Sequence, residues 1–135
     1  MGMTQGMNQK TDNQPQRILA IDDDRSVLEV VKASLEMGGF EVLASRDPRE
    51  AVLLYSQQWR DIDLVVLDYR MPEMSGAAVF DALRQVNPDT KVLLLTGSGE
   101  ETAREMLVRG VRAYVSKPFY VENLLQKARE IIAAP

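Results

Sequence analysis

Groups able to do chemistry stand at four places along this chain, each just after a short apolar run. Asp22, Asp23 and Asp24 follow the run at 18–21, and Asp68 follows the run at 64–67. Thr96, Gly97 and Ser98 follow 92–95, and Ser116, Lys117 and Pro118 follow 113–115. Carboxylates held close together repel one another, and burial worsens the repulsion. A divalent cation relieves it. All-oxygen ligation favours Mg²⁺, which keeps several waters and takes one to three carboxylates. A backbone carbonyl just past Asp68 can complete such a shell. An aspartate can also attack phosphorus and form an acyl phosphate. Mg²⁺ and Lys117 would neutralise the charge on the transferring oxygens. The Thr96 hydroxyl would donate to a third oxygen, and Gly97, with no side chain, would leave room for water or a phosphodonor.

Each group also has a plainer explanation. Acids favour the positive end of a helix dipole, which suffices for Asp24. A lone threonine is commonly a helix cap, and a lone Lys-Pro a turn. The functional reading rests on their joint placement.

That placement requires a particular architecture. The apolar runs at 18–21, 40–44, 64–67, 92–95 and 113–115 read as five strands. Helical spacing appears over 25–37, 48–58, 75–86, 100–109 and 121–132. In the first of these helices Val27, Val30, Val31 and Leu35 form the expected buried stripe. Gly38 and Gly39 stop it, and Pro48 opens the next. Strands alternating with helices imply right-handed parallel crossovers. The solid runs before Asp68 and Thr96 suit central strands covered on both faces. The fold class expected is a three-layer, doubly wound α/β sandwich with a five-stranded parallel sheet. In such a sheet ligands sit beyond the carboxyl ends of the strands, where all four groups fall.

Composition narrows the function further. The 135 residues suit one domain, expected over 17–135, and a 45% hydrophobic fraction suits one core. Residues 1–16 are polar, rich in Gln, Asn, Gly and Thr, and are expected to be a disordered tail. A net charge of −4 with no basic run argues against direct nucleic-acid binding. No apolar stretch approaches the ~20 residues of a membrane span, and no signal peptide is legible, so a cytoplasmic location is expected. The absence of Cys excludes disulfides, and the absence of His excludes imidazole chemistry on this chain.

The segments 18–24, 63–76 (Asp-Leu-Val-Val-Leu-Asp-Tyr-Arg-Met-Pro-Glu-Met-Ser-Gly), 94–97 and 114–119 (Tyr-Val-Ser-Lys-Pro-Phe) together resemble two-component response-regulator receiver domains. The likeness runs from about Arg17 to the C-terminus. It implies that Asp68 is the phosphoacceptor. It implies that Asp22 and Asp23 hold magnesium with Asp68 and the backbone carbonyl of Arg70. Lys117 matches the phosphate-binding lysine, and the Lys117–Pro118 bond matches a cis peptide. Thr96 and Tyr114 match the switch pair, although an aromatic on an edge strand can be mere core cover. The family's strand order is the flavodoxin-like 2-1-3-4-5. Arg70 departs from nothing fixed: it could shield an acyl phosphate, pair with an acid near Glu100, or be a solvated loop arginine.

The resemblance therefore implies a phosphorylation-controlled switch, not a metabolic enzyme. A sensor histidine kinase or histidine phosphotransfer protein would donate to Asp68, as could acetyl phosphate. Autodephosphorylation would return the chain to rest. A downstream protein would read the face built from the fourth helix, fifth strand and fifth helix. The chain would be a monomer or a phosphorylation-dependent dimer. It would act alone or as part of a longer regulator or hybrid kinase. An aspartyl phosphatase would carry its nucleophile in a D-x-D pair after the first strand, whereas here that strand is followed by adjacent acids and the distinctive segment surrounds Asp68; no phosphate-binding G-x-x-x-x-G-K-[ST] loop is present. The remaining alternative is a pseudo-receiver that binds partners without phosphorylation.

Overall fold

A computed structural model describes residues 14–135. The tail expected at 1–16 falls mostly on 1–13, which lie outside the described residues. Five strands and five helices alternate: β1 (Arg17–Ile21), α1 (Arg25–Met37), β2 (Glu41–Ser45), α2 (Pro48–Gln58), β3 (Leu64–Asp68), α3 (Gly76–Val86), β4 (Val92–Thr96), α4 (Glu100–Arg109), β5 (Ala113–Ser116) and α5 (Val121–Ala133). A 3₁₀ turn at Trp59–Asp61, which has no clear sequence signal, links α2 to β3. The sheet is all parallel in the order β2-β1-β3-β4-β5, the flavodoxin-like order.

Alternation along each strand divides the core in two. Ile18, Ala20, Val66, Leu93 and Leu95 pack against α1 and α5. Leu19, Ile21, Val65, Leu67 and Leu94 pack against the opposite layer, including Tyr55, Phe80 and Met106. Every residue of β3 and β4 is buried, which is why these two runs carry no polar residue until their last position. The half-exposed β2 and β5 are the edges.

Three local readings shift. In α1 Leu28, Val31 and Leu35 are buried against the sheet with Val27 packed beside them, and Val30 is 54% exposed. Each residue advances about 100° around a helix, so Val30 is carried off the stripe defined by Val31. Strand β2 begins at Glu41, not Phe40, because the Phe40 N–H is spent on the Leu35 carbonyl at the end of α1. The ladder with β1 then starts at Arg17–Glu41. Strands β3, β4 and β5 each run one residue further than their apolar runs. Asp68, Thr96 and Ser116 are thus the last residues of strands, held by the ladder itself.

The turn after β3 closes on a glycine. Gly76 N–H donates to the Tyr69 carbonyl at 2.7 Å, and Ser75 caps α3 by accepting from Ala78 N–H. A Cβ at Gly76 would lie 2.8 Å from the Tyr69 Cα, one residue from Asp68. Backbone cannot yield there without moving the strand end. Gly76→Ala is expected to cost roughly 1–3 kcal/mol, as overpacking does, measured as a lower urea midpoint at unchanged slope. A midpoint equal to wild type would contradict this close-packed turn.

Candidate phosphoryl and metal site

The carboxyl end of the sheet gathers the acids through the turn after β1. Asp22 is 2% exposed. One of its oxygens, Oδ1, accepts from Asp24 N–H at 3.0 Å and fixes the turn; Oδ2 accepts from Lys117 Nζ at 3.2 Å. Asp24 points elsewhere and caps α1 by accepting from Val27 N–H, as the dipole argument expects. Asp23 is half-buried, and its backbone carbonyl accepts from Arg46 Nε at 3.2 Å.

Lys117 arrives from the far side. Its backbone N–H donates to the Thr96 carbonyl at 2.9 Å, continuing the β4–β5 ladder past β5. This sends its ammonium over the strand ends to Asp68, where Nζ donates to Oδ1 at 2.7 Å. The Lys117–Pro118 peptide bond is cis. Among the described residues Asp68 Oδ2 has no hydrogen-bond partner, and no buried side-chain oxygen is left unpaired. Oδ2 therefore reaches solvent while Oδ1 is held.

Oxygens of Asp22, Asp23 and Asp68 lie within 4.8 Å of one another, so one cation can touch all three. The charges are unbalanced: three carboxylates face one ammonium. Burial pushes the Asp68 carboxyl above the usual carboxylate range; the Lys117 hydrogen bond opposes this, and the charges of Asp22 and Asp23 add to it. Burial alone would lower Lys117, but its bond and attraction to Asp68, with Asp22 behind, outweigh burial and raise it. The cluster can hold a divalent cation: its donors are hard oxygens, and its charge stays unsatisfied without one.

Thr96 is 2% exposed, and its Oγ1 accepts from Ser98 N–H at 2.9 Å. Tyr114 is partly buried and packs on the core cluster that contains Met106. At Gly97 an added Cβ would meet nothing within 4 Å, so packing does not demand glycine there. Arg70 makes no bond to an acid near Glu100; its Nη2 donates to Ser98 Oγ at 3.1 Å. Arg46 escaped the sequence reading, and Ser98, though named there among the groups after the fourth run, was given no role. Ser98 was legible as a polar residue two positions past Thr96. Arg46 carried no signal, because its role depends on the β2–α2 loop lying beside the β1–α1 turn.

The raised Asp68 has a consequence for stability. An acid whose pKa is raised on folding destabilises the fold above its folded pKa, and the cost vanishes below its unfolded value, 3.8. Asp68→Asn should therefore raise the metal-free Tm at neutral pH, with the gain fading as pH falls through the carboxylate range. A lowered Tm at pH 7 would contradict this charge balance.

A response regulator receiver domain model matches residues 18–129. The chain is 38% identical over 119 residues to "Response regulator MprA" of Mycolicibacterium vanbaalenii, covering 87% of this chain and 51% of that protein. It is 38% identical over 117 residues to "Transcriptional regulatory protein CpxR" of Escherichia coli K12, covering 86% and 49%. It thus spans about half the length of these curated relatives. A response regulator receiver domain protein from Clostridium thermocellum superposes with a TM-score of 0.83 at 30% identity, covering 87% of this chain and 94% of that one. With the sheet order and the acidic cluster already in place, the conclusion is direct: this chain belongs to the response regulator receiver domain family, the phosphoacceptor switches of two-component signalling.

Proposed function

We propose that Asp68 is the residue that takes the phosphoryl group, with Mg²⁺ as the cation. The observation that carries this is the division of labour at its carboxylate. Lys117 holds Oδ1 and Oδ2 is left to the solvent side as the nucleophile. Oδ2 attacks phosphorus in line with the leaving group. For a phosphohistidine donor the P–N bond breaks, the imidazole keeps the electron pair and takes up a proton, and an acyl phosphate forms on Asp68. The Lys117 ammonium then binds an oxygen of the transferred group. Asp22, Asp23, Asp68 and the Arg70 carbonyl would hold magnesium, which when bound supplies positive charge to those oxygens. Water attack on the acyl phosphate reverses the state.

The donor is a sensor histidine kinase or a histidine phosphotransfer protein, since this chain has no histidine. Both work on the cytoplasmic side, and no described helix is long and apolar enough to cross a membrane. The switch pair is Thr96 and Tyr114. The surface that changes is α4, β5 and α5, where Leu107, Val108 and Tyr120 are exposed. A downstream protein, or a second copy on phosphorylation, would dock there, whether the domain acts alone or within a longer regulator.

Intact-protein mass after incubation with acetyl phosphate and Mg²⁺ tests the reading. One added phosphoryl mass is expected, lost in Asp68→Ala and on chelation. Lys117→Met is expected to slow its appearance by roughly 10²–10³-fold, the usual effect of removing one group that stabilises transferring charge. An adduct that survives Asp68→Ala would overturn the assignment. Magnesium alone should raise the Tm: at a hundred times its Kd the stabilisation is about 2.7 kcal/mol. Asp23→Asn should shrink that rise, and an equal rise in this variant would remove Asp23 from the ligand set.

A further inference from the structure

The loop between β4 and α4 is held in an unusual way. Gly97 and Gly99 flank Ser98, and a Cβ at either would meet nothing within 4 Å. Gly99 has φ +96°, a backbone region that favours glycine. Side-chain packing therefore does little to fix these three residues. The helix that follows buries only Ala103 and Met106, so few apolar contacts oppose movement of its first turn.

What does hold the loop passes through Ser98. Its backbone N–H donates to Thr96 Oγ1 at 2.9 Å, and its own Oγ accepts from Arg70 Nη2 at 3.1 Å. Arg70 comes from the turn after β3, two residues past Asp68. The two hydrogen bonds thus run from Thr96, at the end of β4, through Ser98 to Arg70 in the turn just after Asp68. Among the described residues the Thr96 hydroxyl makes no hydrogen bond to Asp68.

We infer that Ser98 is a positioning residue that latches the resting conformation, acting through Thr96 and Arg70. The inference rests on Asp68 as phosphoacceptor. A phosphoryl group there offers oxygen acceptors to the Thr96 hydroxyl and to the Arg70 guanidinium. When the Thr96 side chain turns about its Cα–Cβ bond to bring its hydroxyl to that group, Oγ1 moves away and Ser98 N–H loses its acceptor. When Arg70 follows, the Ser98 hydroxyl is released and the glycine-flanked loop is free to carry the first turn of α4. The latch stabilises only the resting state. It therefore lowers apparent affinity for any phosphoryl mimic by reducing the competent fraction.

Calorimetric titration with beryllofluoride in Mg²⁺ reads this directly. Ser98→Ala should bind roughly two- to tenfold more tightly than wild type, the range for one lost hydrogen bond. Ser98→Thr, which keeps the hydroxyl, should restore wild-type affinity. In an Arg70→Met background, Ser98→Ala should have no further effect, because the shared bond is already gone. Equal or weaker binding by Ser98→Ala, or an undiminished effect in the Arg70→Met background, would overturn the latch and leave Asp68's role standing. No beryllofluoride binding by wild type would overturn both.

Discussion

Everything at the carboxyl end of this sheet answers to one constraint: three carboxylates must share a small space with one ammonium. Oxygens of Asp22, Asp23 and Asp68 lie within 4.8 Å of one another, and two of the three residues are almost wholly buried. Lys117 bridges Asp22 and Asp68, and the arrangement would be repulsive without it. Yet one ammonium does not cancel three negative charges; burial first, and then the charges of Asp22 and Asp23, hold the Asp68 carboxyl above its ordinary range. A divalent cation would complete the balance, and with it in place the site could accept an anionic phosphoryl group. The site is therefore built in excess of negative charge for a resting protein, in a way that makes binding the favourable direction.

The fold supplies the rigidity this requires. Asp68 and Thr96 are the terminal residues of two fully buried parallel strands, and the ladder sets their positions. Lys117 is tied to the same ladder by its own N–H on the Thr96 carbonyl. Asp22 is fixed by its bond to Asp24 N–H and by its own N–H on the Ser45 carbonyl. Against this frame stand the lightly packed parts: the loop at 97–99 and the start of α4. A rigid acceptor beside a loosely held reporter is the division that a switch needs, since a local charge change must bias an element with two arrangements.

Much of this was legible in the sequence, for identifiable reasons. Solid apolar runs such as 64–67 and 92–95 mark central strands because both faces are covered. The first polar residue after each run then marks the site, because the strand leaves the core there. Boundaries blurred where hydrogen bonds, not side chains, decide them. Phe40 is apolar and buried, yet its N–H belongs to the end of α1. Val30 is apolar and exposed, and only the phase of α1 against the sheet shows it. The partners of Arg70 and Arg46 were not legible at all. Each reaches a loop distant in sequence, Ser98 in one case and the Asp23 carbonyl in the other. Long flexible cations carry no periodicity that would announce such a contact.

The most direct test of the account is to locate the phosphoryl group chemically. The protein is phosphorylated with acetyl phosphate in Mg²⁺, treated with borohydride, which reduces an acyl phosphate to the alcohol, and mapped by peptide mass spectrometry. The account predicts that Asp68 alone is converted to homoserine. Conversion at Asp22 or Asp23, with Asp68 unchanged, would contradict it.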